Sequence, residues 1–123
     1  MWQLCDHLNE EQYLTLLSTM RKEGYRLLSL MNEKDEIVSV AGVAIRTDFF
    51  NGKHLWIHDL VTSKETRSQG VGKILAAHLE EFARNHGCEK VVLYSGISRE
   101  QAHHFWQKHM NFDKRGIVFK KEL

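Results

Sequence analysis

The stretch Leu60-Val61-Thr62-Ser63-Lys64-Glu65-Thr66-Arg67-Ser68-Gln69-Gly70-Val71-Gly72-Lys73 decides how the rest of the chain is read. It places a Gly-x-Gly turn at the start of a helix, directly after a strand. The first turn of a helix carries free backbone N–H groups and a partial positive charge, so an anion such as a pyrophosphate can sit there. Glycine has no Cβ and lets a phosphate approach the backbone closely. Arg67 and Lys73 flank the turn and can add charge. Two better-known phosphate loops fail here. A P-loop needs a Gly five positions before Gly72 and a Ser or Thr after Lys73, and those places hold Arg67 and Ile74. A dinucleotide fingerprint needs a third Gly where Leu75 stands. The alternative is a plain tight turn whose glycines only start a helix.

Downstream, Val71, Ile74, Leu75, Leu79, Phe82 and Ala83 form the apolar stripe of a helix over about Gly70 to His86, which Gly87 ends. Val91-Val92-Leu93-Tyr94 reads as a buried strand. Strand, helix and strand in that order imply a right-handed parallel crossover. Upstream, Tyr25–Met31, Ile37–Arg46 and His54–Thr62 read as strands separated by short polar turns, which favour antiparallel neighbours. A first helix is expected from about Glu10 to Glu23, with Asn9 and Gln12 as a capping box and Tyr13, Leu16, Leu17 and Met20 on one face. Trp2–Leu4 adds a short strand before it. Ser98, with Gln101, is expected to cap a last helix whose Ala102, Phe105, Trp106 and His109 share a face. Lys114–Lys121 reads as a closing strand. The expected fold is a single α/β domain over residues 1–123, with a mixed sheet, antiparallel first and parallel at the crossover, flanked by helices.

Composition narrows the function. A net charge of +1 over 123 residues offers no general surface for nucleic acid or an anionic membrane. No apolar run approaches the ~20 residues of a membrane-spanning helix. Asp6, Glu10 and Glu11 come too early for a signal peptide. Cys5 and Cys88 match no metal or redox spacing, which fits a reduced, cytoplasmic setting. The eight histidines form no His-Glu-x-x-His pair and no Cys/His cluster, so no metal is expected. Phe49 and Phe50 are read as packed under their loop or as part of an interface, and Trp56 as sheet packing.

Arg67-Ser68-Gln69-Gly70-Val71-Gly72 resembles the Arg/Gln-x-x-Gly-x-Gly/Ala signature of the GNAT superfamily of N-acetyltransferases. Asp59-Leu60-Val61-Thr62 resembles the strand that precedes that signature. Ala102-His103-His104-Phe105-Trp106-Gln107-Lys108 with Asn111-Phe112 resembles the family's second motif, commonly Ala-x-x-Phe-Tyr-x-Lys-x-Gly-Phe. The order and spacing fit from about Tyr25 onward. The resemblance implies acetyl-CoA as co-substrate, lying where the Asp59–Thr62 and Val91–Tyr94 strands splay apart. The backbone of Leu60, Val61 and Thr62 would bind the pantetheine arm. The loop Arg67, Ser68, Gln69, Gly70, Val71, Gly72 and Lys73 would hold the pyrophosphate. A primary amine would attack the thioester directly.

Three expectations about catalysis follow from that resemblance. Asp59 is the first candidate for the base, because it alternates with Ile57 and Val61 and so shares their side of the strand; an ion pair is the other reading. His58, pointing the opposite way, is the second. Trp106 stands where many relatives have a Tyr that protonates the departing thiolate, and an indole N–H lacks the acidity for it. Tyr94 or His103 replaces that Tyr, or solvent does the work, or the chain is a non-catalytic acyl-CoA-binding regulatory module. A purely structural interaction domain is the third reading of the chain. The acceptor is an amine of unspecified identity, and a homodimer is in keeping with the family.

Overall fold

Asn9 starts the first helix as its sequence context demands. Its side chain accepts from Gln12 N at 2.8 Å, and its own N–H donates to Gln12 Oε1 at 3.0 Å. Glu10 and Glu11 in the first turn and Arg21 and Lys22 in the last complement the dipole of α1, Glu10–Lys22. The computed structural model describes residues 7–63 and 70–123. The strand expected at Trp2–Leu4 lies outside them. The expected stripe of α1 stays shallow: Tyr13, Leu17 and Met20 are half-buried, Leu16 is exposed, and no residue of the helix is buried.

Three strands follow as an antiparallel meander: β1, Arg26–Met31; β2, Ile37–Asp48; and β3, Gly52–Thr62. Side-chain turns join them. Asn32 Oδ1 accepts from Lys34 N and Glu36 N at 2.9 and 3.0 Å, and Asp48 Oδ1 accepts from Phe50 N and Asn51 N at 2.9 and 2.6 Å. Helix α2, Val71–Asn85, leads to β4, Lys90–Leu93, which pairs parallel with β3. The sheet order is β1-β2-β3-β4, antiparallel first and then parallel. Phe49 and Phe50, at the β2–β3 turn, are fully exposed rather than packed under the loop.

The core lies where α2 packs on β2, β3 and β4. Val71, Leu75, Ala76, Leu79 and Ala83 are its buried helix residues, and Ala41, Val43, Leu55 and Ile57 are buried strand residues. Ile74 and Phe82, at the margins of the expected stripe, are exposed and half-buried. Burying a side chain such as Leu79 is worth about 1.5–3 kcal/mol.

One irregularity positions the site. Val43 pairs with Ile57, but its neighbour Gly42 pairs with Asp59, so β3 carries one extra residue, His58. This is a β-bulge. Paired residues share a face, so Asp59 lies on the side of Gly42 and, two positions along, of the Ala44–Trp56 pair. The expectation that Asp59 sides with Ile57 and against His58 is therefore corrected: strict alternation fails at the bulge. Tyr25, with its ring over Gly42, stands edge-on to His58 at 5.3 Å. His58 and Asp59 thus face the same way.

The chain divides into two compact units, residues 1–93 and 94–123. The second, taken by itself, has a short helix α3, Glu100–His104, which runs into a π-helical turn, Phe105–His109. Met110 N closes that turn onto Phe105 O at 3.1 Å. The expected Ser98 cap is not used. Arg99 stands at the cap position, without a side-chain bond, and Ser98 offers only its carbonyl, to Glu100 N at 3.0 Å. The strand expected at Lys114–Lys121 is absent as well. No described strand pairs with it, and without ladder partners Ile117, Val118 and Phe119 stay exposed.

Candidate active site

Helix α2 begins differently from α1. Its cap is Gly70, in the left-handed region at φ 73°, which a residue with a Cβ adopts only at a cost of about 1–2 kcal/mol. Gly70 has no side chain to cap the helix, and no acid lies in its first turn. Ile74 N makes the first intrahelical bond, to Gly70 O at 3.1 Å, which leaves the N–H groups of Val71, Gly72 and Lys73 as the orphan donors of that turn. Val71 is buried and anchors the turn, while Lys73 is exposed. This is the chemistry of an anion site. Arg67, Ser68 and Gln69 lie outside the described residues.

The strand before that turn is held from one side. Leu60, Val61 and Thr62 pair with Ala41, Val40 and Ser39 of β2. Ser39, buried, donates to Val61 O at 3.0 Å and meets Thr62 Oγ1 at 3.2 Å. A hydroxyl has one proton, so Thr62 is the donor in the second bond. On the other side, β4 supplies ladder partners only from His54 to Ile57, and the pairing ends at Ile57 opposite Leu93. β3 continues to Thr62 beyond that point. The two strands stop pairing just where the bulge begins.

At the bulge lie His58 and Asp59. Partial burial, the positive charge of Arg46, and the opposing charges of Asp59 and Glu23 act on His58, in that order, and the sum holds its pKa below 6.5. At neutral pH the imidazole is a neutral proton acceptor. Trp56, expected as mere sheet packing, carries the guanidinium of Arg46 at 4.9 Å over its ring and stands 6.4 Å from the His58 ring. Sequence reasoning missed Arg46, because only the register shows that it lies diagonally across from Trp56. Among the described residues, no group of three His, Cys, Asp or Glu could hold a metal ion. A shallow groove along α1, lined by Glu11, Leu14, Thr15 and Lys22 among others, contains none of the predicted site residues.

Comparison with known proteins decides the family. The Acetyltransferase (GNAT) family matches residues 2–112. This chain belongs to the GNAT acetyltransferase family. An uncharacterized N-acetyltransferase, YhdJ, of Bacillus subtilis (strain 168) is 38% identical over 124 residues, spanning 100% of this chain and 87% of that protein. A structure described as an acetyl transferase from Pyrococcus furiosus superimposes with a TM-score of 0.81 at 24% identity, covering 93% of this chain and 76% of that one. An acetyltransferase from Trypanosoma brucei gives 0.68 at 26% identity, covering 94% and 81%. The mixed sheet of this GNAT chain matches those neighbours, and the chain is an acetyltransferase.

The remaining predicted residues of the GNAT chain lie in its second unit. Tyr94, 63% exposed, is the first residue of that unit. His103 Nε2 lies 2.9 Å from Gly96 O. A carbonyl only accepts, so Nε2 carries a proton and donates it. Trp106 is held between Phe105 and Phe112, with ring centroids 4.9 and 5.0 Å away, and its carbonyl accepts from Phe112 N at 2.8 Å. It packs within an aromatic cluster there.

Proposed function

We propose that this protein transfers the acetyl group of acetyl-CoA to a primary amine by direct attack, acting as one acetyltransferase domain over residues 1–123. The observation that carries this reading, beyond family membership, is a juxtaposition along the chain. The parallel ladder ends at Ile57–Leu93, β3 continues through Leu60–Thr62, and α2 then opens at Gly70, whose lack of a side chain leaves the first-turn N–H groups without a cap from that residue. The strand backbone would bind the pantetheine arm. The turn from Arg67 to Lys73 would bind the pyrophosphate.

In this reaction the amine nitrogen bonds to the thioester carbonyl carbon, the C–S bond breaks, and the electron pair leaves on sulfur. The acceptor arrives as an ammonium and must first lose a proton. The neutral His58 supports a role as the group that takes it, with Asp59 steadying the imidazolium that forms. Backbone N–H groups of the Leu60–Thr62 strand would polarise the carbonyl. Tyr94 is the preferred proton donor to the thiolate. His103 has its N–H turned to Gly96 O. We place the protein in the cytoplasm, without nucleic-acid or membrane partners, and propose a homodimer, to be checked by sedimentation.

Thermal unfolding with acetyl-CoA, with ATP and NAD as controls, is the first test. Binding to the native state alone stabilises it by about 2.7 kcal/mol at roughly a hundred times the dissociation constant. A shift with acetyl-CoA only is expected, and no shift at millimolar ligand overturns the reading. CoA release with an amine panel follows. His58→Gln is expected to lower kcat by roughly 10²–10⁴-fold while the acetyl-CoA shift persists. Trp106, in place of a Tyr, favours one second reading: a regulatory module that binds acyl-CoA. Acetyl-CoA binding without CoA release from any amine would support it.

A further inference from the structure

Arg46 is an exposed arginine that is nonetheless held. Its guanidinium carbon lies 4.9 Å from the centroid of the Trp56 ring. The pair is diagonal across β2 and β3: Arg46 lies opposite His54, and Trp56 opposite Ala44. The small Ala44 lets the long side chain lie down across the indole. A guanidinium over an aromatic ring keeps N–H donors that the ring does not use. Those groups make no hydrogen bond or ion pair among the described residues. The result is a cation set beside the indole, and a guanidinium fork suits a planar anion accepting two parallel bonds.

The fork lies on the same sheet face as the bulge. Trp56 stands 6.4 Å from His58, and His58 5.3 Å from the buried Tyr25, whose ring covers Gly42. Asp59 follows on that face by its pairing with Gly42. Two negative charges, Asp59 and Glu23, and one positive charge, Arg46, reach His58. This face therefore carries both signs of charge around His58, with Arg46 acting on it more strongly than either acid. Trp56 and Asp59 are three residues apart on a bulged strand, a separation on the order of 7–10 Å.

We propose that the acceptor is an amine that also carries a carboxylate, its amino group placed at His58 and Asp59 and its carboxylate on the Arg46 fork. The distance favours a spacer of three to five carbons between the two groups over a simple α-amino acid reacting at its own α-amine. This rests on the acetyltransferase reading above and adds the substrate class to it.

The test compares matched pairs with the full-length protein and saturating acetyl-CoA. The ω-amino acids with one to five methylenes are paired with alkylamines of the same carbon skeleton, and CoA release is followed for each. At spacers of three to five carbons, kcat/KM is expected to favour the amino acid at least tenfold, mainly through KM. In Arg46→Ala that ratio falls toward one, and in Arg46→Lys it takes an intermediate value, since an ammonium keeps the charge but loses the fork. A readout free of turnover is the binding of 5-aminopentanoate and pentylamine to CoA-saturated protein, followed by the Trp56 indole N–H resonance. The amino acid is expected to bind more tightly and to move that resonance. Equal or better binding and turnover of the alkylamines overturns the proposal, as does an Arg46→Ala variant that keeps the wild-type ratio. A preference confined to aminoalkylphosphonates overturns the carboxylate assignment. A wild-type protein that binds acetyl-CoA and turns over amines but shows no carboxylate preference sinks this inference alone. Failure to bind acetyl-CoA removes the reading beneath it.

Discussion

His58 occupies the one position of β3 that has no counterpart on β2, and its protonation follows from that placement. Burial and Arg46 outweigh Asp59 and Glu23, so its folded pKa lies below 6.5. An NMR titration should show a midpoint below that value, raised in Arg46→Ala and lowered further in Asp59→Asn. A midpoint at or above 6.5 contradicts the arrangement. The sign for stability follows from proton uptake. Between the folded midpoint and the ordinary value the unfolded chain binds more protons, so this residue's contribution declines as pH falls through that window and levels off below it. None of this was legible beforehand. Asp59 and His58 were both recognisable as reactive groups at the end of a strand, but their relative direction rests on counting by twos. An extra residue breaks the count without any mark in composition. Arg46 left no sign either, since a cation in a strand is ordinary until its diagonal neighbour is known.

At the level of elements, the two long helices show what a sequence pattern can and cannot foretell. Both were legible in extent, because caps are local: Asn9 and Gln12 for α1, Gly70 and Gly87 for α2. Burial is a property of what lies opposite. Leu79 of α2 is 1% exposed against the sheet, whereas Leu16 of α1 is 50% exposed. Leu79→Ala should therefore cost about 2–5 kcal/mol in urea unfolding, and Leu16→Ala no more than about 0.5 kcal/mol. Similar losses at both sites would show that α1 buries its apolar face after all. The failures have the same origin. Lys114–Lys121 has strand-like residues, but a strand exists only with a partner. Ser98 is a good capping residue by type, yet the α3 helix starts one residue later than that role needs.

For the whole molecule, the order of chain and sheet was the most legible feature. Short polar turns dictate antiparallel neighbours, and a helix between two apolar strands dictates a parallel one, as the order β1-β2-β3-β4 with parallel β3 and β4 bears out. The tip of the β2–β3 hairpin departs from expectation. Phe49 and Phe50 put their side chains wholly into solvent, while the Phe50 backbone takes bonds from Lys90 Nζ at 3.1 Å and to Asp48. Replacing both by Ser should change the unfolding free energy by no more than about 0.5 kcal/mol; a loss well above 1 kcal/mol would mean that the pair packs onto the protein. The bulge, finally, acts on β3 much as an inserted base acts on a reading frame. Residues Gly52–Ile57 and Asp59–Thr62 are each in phase with β2, but in opposite phases of the strand's own count, and His58 alone reconciles them. Delete that residue, and Ile57 and Asp59 become neighbours opposite Val43 and Gly42, which are neighbours already, so the strand's count becomes regular and every other side chain keeps its face. Divergent descendants of this chain can therefore lose position 58 without turning any other side chain of β3, and what goes with it is the local kink and the imidazole.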